Sequence, residues 1–506
     1  MLSENESDRR LLAQVHPADW QNPSPARRYN LVVVGGGTAG LVAAAGAAGL
    51  GARVALVERS ELGGDCLNVG CVPSKSLLRS AHALSDVRQA ESLGIRLPGE
   101  PGLDFAAVME RMRGVRARIA PADSAVRFRD ELGVDVFFGE GRFVARREVE
   151  VGGARLRFRK AIIATGARPA VPPVPGLAAG GYLTNESVFD LETLPERLLV
   201  LGGGPLGCEL AQAFQRMGSR VTLVEMDHRF LAREEPDAAR LLLEQLGRDG
   251  VDVRLGTVLT SVTGSPGEEK TAILACAGSE DSVAFDEILV AVGRVPNVEG
   301  LGLEAAGIAF DPARGVEIDD SFRTRNPHVY ATGDVCMEQK FTHAADFASR
   351  AAIQNALFAL GPFGRKKLSA LAIPRCTYTD PEIAHIGLDE AEAKALGIAL
   401  ESFERSFAEV DRAIADGRNS GFVKIRVKKG SDQILGATVV GYGAGDLISE
   451  INVARAGGLG LAALASVIHP YPTRAEAIRQ LGDAYNRTRL TPRVKRIFET
   501  FLAWRR

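Results

Sequence analysis

Cysteine is scarce in this chain, six in 506 residues, too few for the disulfide framework of a small secreted domain. An excess of one charge is also missing. Lys and Arg number 61 against 63 Asp and Glu, a formal net charge of −2, so neither nucleic acid nor an anionic membrane is expected as the main partner. No apolar run approaches the ~20 residues needed to cross a bilayer. Met1 to Asn30 is polar, mixed in charge and lacks the apolar centre of a secretory signal, and the expectation is a cytoplasmic protein. Low-complexity tracts and internal arrays are missing as well, and the 55 Gly and 24 Pro are dispersed as turns. What remains is an ordinary globular mix, 46% apolar and 25% charged, long enough for roughly three domains of ~150 residues.

A repeated grammar runs through that mix. Leu31–Val34 (LVVV) is a short apolar run that leads into GGGTAG, an Ala-rich stretch and ARVALVE, ending at Glu58. The order predicts strand, turn, helix and strand, a βαβ unit. It returns as Leu198–Leu201, GGGPLG, CELAQAFQRMG and VTLVE, ending at Glu225. From about Pro374 the chain changes character. GFVKIRVKK and ILGATVVG read as strands and are followed by Ala-rich helices, an α+β segment outside both repeats. Met1–Arg28 reads as a polar arm with a Pro-rich end.

In the first repeat Gly35, Gly37 and Gly40 match G-x-G-x-x-G. The first glycine permits the tight turn, the second lets a pyrophosphate approach the backbone, and the third lets helix and strand pack closely. The helix N-terminus then faces the phosphates. Glu58 is placed to take ribose hydroxyls. Gly202, Gly204, Gly207 and Glu225 repeat the pattern, so two dinucleotides are expected. An acid at Glu225 disfavours a 2′-phosphate, which puts NADH ahead of NADPH. Arg229 and Arg233 lie just downstream and pull the other way.

The most specific segment is GGDCLNVGCVPSK, Gly63 to Lys75. In an ideal helix the Cα atoms of Cys66 and Cys71 would be roughly 8–9 Å apart, whereas a disulfide needs less than about 7 Å. The segment must bend if the pair is to close, and Gly70 allows it. Pro73 suits the first turn of a following helix. Cys71 then stands at that helix's N-terminus, where the dipole favours a thiolate. Two unrelated buried thiols, or half of a zinc site, are the competing readings, and no second Cys/His pair with ligand spacing supports zinc.

With ATGARP (Ala164–Pro169), AVGRVPN (Ala291–Asn297), ATGDV (Ala331–Val335) and PTRAE, this segment makes the chain resemble a known family over about Tyr29 to Glu476. The family is the class I flavin disulfide reductases: glutathione reductase, lipoamide dehydrogenase and mercuric reductase. The resemblance implies an α/β fold with two Rossmann-like domains, for FAD and NAD(P), and a C-terminal α+β dimerisation domain. The expected division is an arm over 1–28, an FAD domain over 29–190 and 310–373, a nicotinamide domain over 191–309 and a dimerisation domain over 374–506. It also implies cofactor contacts at Gly64, Thr165, Gly166, Gly293, Gly333 and Asp334. Cys66 would meet the substrate and Cys71 the flavin, while Lys75 and Glu209 would pair near flavin N5. No resident metal is expected. The family is homodimeric, with each active site completed by the partner's C-terminal domain.

The chain departs from the disulfide-reducing members at one place. They carry His-Pro-Thr-x-x-Glu, with the histidine as acid/base and the glutamate orienting it. Here HPYPTRAEA puts Tyr471 at the base position, with Glu476 in register and His469 two residues early. An unperturbed tyrosine, with pKa near ~10, is a poor proton shuttle at neutral pH. Mercuric reductases share this tyrosine, but the paired-cysteine N-terminal domain and C-terminal cysteine pair of that group are not found in this sequence. The expected activity is electron transfer from NAD(P)H through FAD and the Cys66–Cys71 pair to a small acceptor, a metal ion or a small molecule. A lipoamide- or glutathione-type disulfide reductase and a non-enzymatic dithiol sensor are the alternatives. The complete nicotinamide site favours the enzyme. The basic tail RTRLTPRVKRIFETFLAWRR reads as a surface helix packed on the dimer, ahead of membrane docking.

Overall fold

The computed structural model describes residues 5–99, 101–265, 269–361 and 363–506. The chain forms two compact units. One comprises the residues up to Met226 together with Gly256–Leu371, and the other Asp227–Leu255 together with Ala372–Arg506.

The first unit is built around two sets of parallel strands. Tyr29–Val34 and Val54–Glu58 are apolar on both faces and almost wholly buried, as strands covered on both sides must be. The larger sheet runs Asp135–Phe138, Val54–Glu58, Tyr29–Val34, Ala154–Ile163, then the hairpin strands Glu148–Val151 and Arg142–Ala145, with Val329–Ala331 added beside Ala154–Ile163. The strand order therefore reverses at Tyr29–Val34, a topological switch point at which ligands bind. A second parallel set places Arg197–Leu201 between Arg220–Val224 and Glu287–Val290. The two strands named from their apolar runs are both central, and each feeds its glycine turn directly.

Small residues set the packing of the first fingerprint helix, Thr38–Gly49. A Cβ on Gly46 would stand 2.9 Å from Ile353 Cδ1, which is why the Ala-rich stretch can lie against the helix Thr342–Ile353. The N-terminal arm carries more than its polarity suggested. Glu6–Val15 is a helix capped by Asn5, with Leu11 and Val15 buried. Its Asp8 is fully buried and pairs with the equally buried Arg116 at 2.9 Å.

The second unit contains a five-stranded antiparallel sheet in the order Arg375–Thr377, Glu382–Gly387, Ile434–Gly441, Phe422–Lys428, Leu400–Ser406. Ile386, Ile425, Val439, Ile448, Ile451 and Leu481 lie in its core beneath the helices Ala444–Ala456 and Glu476–Thr488. This is the α+β layer read from the last part of the sequence. The tail forms the helix Pro492–Trp504, none of whose residues is buried. Among the described residues no helix is long and apolar enough to cross a membrane.

Candidate functional site

The two glycine turns are near copies. Gly35 and Gly202 adopt φ of +108° and +109°, a region L side chains avoid. A Cβ on Gly35 would lie 2.3 Å from Ala164 O, and one on Gly202 would lie 2.6 Å from Ala291 O. The segments ATG and AVG, apart in sequence, thus hold the same position against the two turns. That places Thr165 and Gly166 beside the first turn and Gly293 beside the second. Gly40 and Gly207 each press on the turn itself, where a Cβ would collide with the carbonyl of Gly35 or Gly202. Gly37 and Gly204 are the N-caps of their helices and offer no side-chain cap, so backbone N–H groups stay available to phosphate. Glu58 accepts from Gly36 N and Ser60 N, and burial pushes its carboxyl up. Glu225 accepts from Gly203 N at 2.7 Å. Two cradles that a Cβ would fill, each closed by an acid at the next strand end, fit two dinucleotides.

The cysteine segment packs on the first cradle. Gly64 touches Gly37 so closely that a Cβ on it would lie 2.6 Å from Gly37 Cα. Gly64–Asn68 forms one helical turn carrying Cys66, and Cys71 opens the long helix Cys71–Arg88. The bend between them is Gly70, where a Cβ would stand 2.6 Å from Asp65 O. Both cysteines are free thiols. Hydrogen bonding to Cys66 lowers Cys71 to about 6; burial opposes this, and Thr342 and the Lys75 charge reinforce it. The same sulfur pairing, with burial, pushes Cys66 up. The dithiol is therefore polarised, with the thiolate on Cys71. Thr342 Oγ1 lies 3.3 Å from Cys71 Sγ.

Lys75, one turn into the same helix, holds Glu209 at 2.7 Å, and Glu209 is only 3% exposed. Glu209 stands on the second fingerprint helix, Pro205–Met217, so this pair joins the cysteine helix to the nicotinamide cradle. Behind the dithiol, Arg116 donates to Asn68 O at 2.8 Å, while Asn68 Nδ2 donates to Leu62 O and Gly64 O. A Cβ on Gly333 would stand 3.2 Å from Ala39 Cβ. Asp334 pairs with Arg294, which also pairs with Asp65 of the cysteine turn. Burial pushes the Asp334 carboxyl up.

In the second unit Tyr471 is 70% exposed, and its hydroxyl donates to Asp411 Oδ2 at 2.7 Å. That hydrogen bond and the Asp411 charge raise the phenol above its ordinary value. Glu476 begins its helix and accepts from Arg479 at 3.0 Å. Within this chain the side-chain partner of Tyr471 is Asp411. His469 is occupied at both ring nitrogens, by Val467 O and by Glu450 Oε1.

Sequence reasoning missed Asp8, Asp65, Arg116, Arg294, Thr342 and Asp411. Each acts through a partner far away in the chain, and none carries a local signal, although the arginine inside AVGRVPN could have been questioned.

Comparison with known proteins shows the family. A family described as pyridine nucleotide-disulphide oxidoreductase matches residues 29–354, and the dimerisation domain of the same family matches residues 373–481. A mercuric reductase of Streptomyces lividans is 35% identical over 466 residues, 90% of this chain and 96% of that one. A dihydrolipoyl dehydrogenase of Thermus scotoductus is 35% identical over 471 residues, 91% and 98% of the two chains. Among solved structures, the Cu(II) complex of the HOCl-induced flavoprotein disulfide reductase RclA from Escherichia coli superposes with a TM-score of 0.80. It is 26% identical and covers 91% of this chain and 100% of its own.

Proposed function

We propose a function from one premise: the chain belongs to the pyridine nucleotide-disulphide oxidoreductase family. It is an oxidoreductase that uses FAD and a nicotinamide dinucleotide, and it acts on sulfur groups or metal ions. Our reading is narrower. The acceptor is a thiophilic metal ion of the mercuric or cupric kind, reduced at the Cys66–Cys71 pair with electrons from NADH.

The observation that carries this is Tyr471 hydrogen-bonded to Asp411. A disulfide substrate leaves as thiolate and needs a proton at each turnover. A phenol whose proton is held by a neighbouring carboxylate supplies one poorly, and His469 is committed to Val467 and Glu450. A soft metal ion needs thiolate ligands and no proton. The Streptomyces lividans relative is named a mercuric reductase, and the RclA neighbour is a Cu(II) complex.

In this reading FAD supplies transfer of an electron pair from the nicotinamide to sulfur. Gly35, Gly37 and Gly40 with Glu58 hold its pyrophosphate and ribose, with Gly64, Thr165, Gly166, Gly333 and Asp334 around them. Gly202, Gly204, Gly207 and Gly293 hold the nicotinamide dinucleotide. Glu225 repels a 2′-phosphate and selects NADH. Cys71 keeps the thiolate beside the flavin, Lys75 stabilises that charge, and Glu209 fixes Lys75. Cys66 binds the acceptor. The chain works as a homodimer whose site is completed by the partner's C-terminal domain, where Tyr471 positions the acceptor.

The test is steady-state NADH oxidation with mercuric ion, cupric ion, glutathione disulfide and lipoamide. Turnover is expected with the metal ions and only background with the disulfides. Brisk disulfide turnover that survives Tyr471→Phe would refute this reading.

A further inference from the structure

The tail helix Pro492–Trp504 has a function of its own to explain. Its N-terminus is well made, with Thr491 capping Val494 N and Pro492 in the first turn. Yet none of its residues is buried. At 3.6 residues per turn, Val494, Ile497, Phe498, Phe501, Leu502 and Trp504 share one arc of about 160°. Trp504 is 81% exposed and Ile497 66%. Arg493 borders the arc on one side and Lys495 on the other. A contiguous exposed apolar face of this kind marks an interaction site.

Its charge indicates what covers it. Residues 492–506 hold Arg493, Lys495, Arg496, Arg505 and Arg506 against the single acid Glu499, while the whole chain carries a formal −2. Arg493 and Lys495 flank the apolar face, and Arg505 and Arg506 follow at its C-terminal end. Two copies of this face brought together would set both cation rims against each other with Glu499 as the single counter-charge. An anionic bilayer surface satisfies both features: the aromatic and aliphatic side chains enter the acyl boundary, and the flanking Arg and Lys reach the headgroups. The helix also lies beyond residue 481, where the dimerisation-domain match ends.

We infer that Pro492–Trp504 is an in-plane anchor that docks this oxidoreductase on anionic lipid. Reduction would then be delivered at a membrane surface, although the protein has no spanning segment among its described helices.

The test uses the full FAD-loaded chain and lipid vesicles. It should sediment with vesicles of mixed phosphatidylserine and phosphatidylcholine, be released by high salt, and stay in solution with pure phosphatidylcholine. Each cation near the surface contributes about fivefold to partitioning, so Arg493→Gln with Lys495→Gln should weaken it about 25-fold. Phe498→Ser with Trp504→Ser should abolish it. Trp20 is the only other tryptophan, so in a Trp20→Phe background Trp504 emission should shift to the blue when anionic vesicles are added. The sedimentation assay does not depend on that background. NADH-to-flavin transfer should be unchanged in every variant. Failure to sediment with either vesicle, or equal binding to both, would overturn the proposal. A Trp504 shift that follows protein concentration without lipid would also overturn it and assign the face to a second copy of the chain.

Discussion

The cysteine turn and the HPYPTRAE segment are both short motifs, yet the fold treats them differently. The turn around Cys66 and Cys71 is held from several sides, by Gly37 beneath, Arg116 behind, Thr342 beside the sulfur and Glu209 through Lys75. Tyr471 is exposed and has one side-chain hydrogen bond, to Asp411. The contrast separates two tasks. In our reading electron entry depends on this pinned constellation, so its residue types leave little freedom. Tyr471, placed by the same reading at the acceptor end, is held by fewer contacts within its own chain, and a change there is expected to alter substrate chemistry without disturbing the flavin and dithiol machinery.

The largest effect should come from breaking the pinned side. Cys71→Ser should abolish both acceptor turnover and the long-wavelength absorbance band of the two-electron-reduced enzyme, whereas Cys66→Ser should show the band with no reductant. Because the hydrogen bond with Cys66 lowers Cys71 to about 6, below the usual thiol value near ~8.5, the band should persist above that pH and fade as pH falls through it. Lys75→Ala should move the midpoint upward. A band retained in Cys71→Ser would reverse the roles given to the two sulfurs.

Next comes the open side. Tyr471→His should increase glutathione disulfide or lipoamide turnover, within the roughly 10²–10⁴-fold range of general acid/base assistance. Its NADH-to-flavin half-reaction, followed by stopped flow, should match wild type. No gain would mean that proton supply does not limit disulfide reduction here.

A smaller effect concerns the arm behind the cysteines. Asp8→Ala leaves Arg116 buried without its partner and should cost about 3–5 kcal/mol of stability. Tyr471→Phe, which loses one exposed hydrogen bond, should be nearly silent in the same denaturant melts. Comparable melts for the two would erase the contrast between the regions.

The smallest effect concerns the donor. Glu225→Ala should narrow the preference in kcat/KM for NADH over NADPH about tenfold, the worth of one charge-assisted hydrogen bond. A wild-type preference for NADPH would instead assign phosphate binding to Arg229 or Arg233.

The parts legible in the sequence share a physical character. Gly35, Gly202 and Gly70 answer demands of the backbone within a few residues, and Glu58 and Glu225 follow at a spacing that one βαβ unit imposes. The strands were readable because chain buried on both faces must be apolar without interruption. The less legible parts join distant positions. Lys75 and Glu209 are 134 residues apart, and Cys71 and Thr342 are 271 apart. No local pattern relates such partners, and the first of these pairs was reached only through family resemblance. Nothing local in ATG or AVG shows that Ala164 and Ala291 stand against equivalent glycines of the two turns.

By itself the sequence determined two dinucleotide cradles and a bent cysteine segment, because turns, periodicity and side-chain chemistry are properties of short stretches, whereas the place of Tyr471 at a proton-delivering position was legible only through family resemblance. Only the tertiary structure decided that Thr342 stands beside the Cys71 sulfur, that Asp411 accepts from Tyr471, and that an N-terminal helix braces the cysteines through Asp8 and Arg116. Those outcomes depend on electrostatics and hydrogen bonds across space, which exist only once the fold brings distant residues within a few ångströms and removes the water between them.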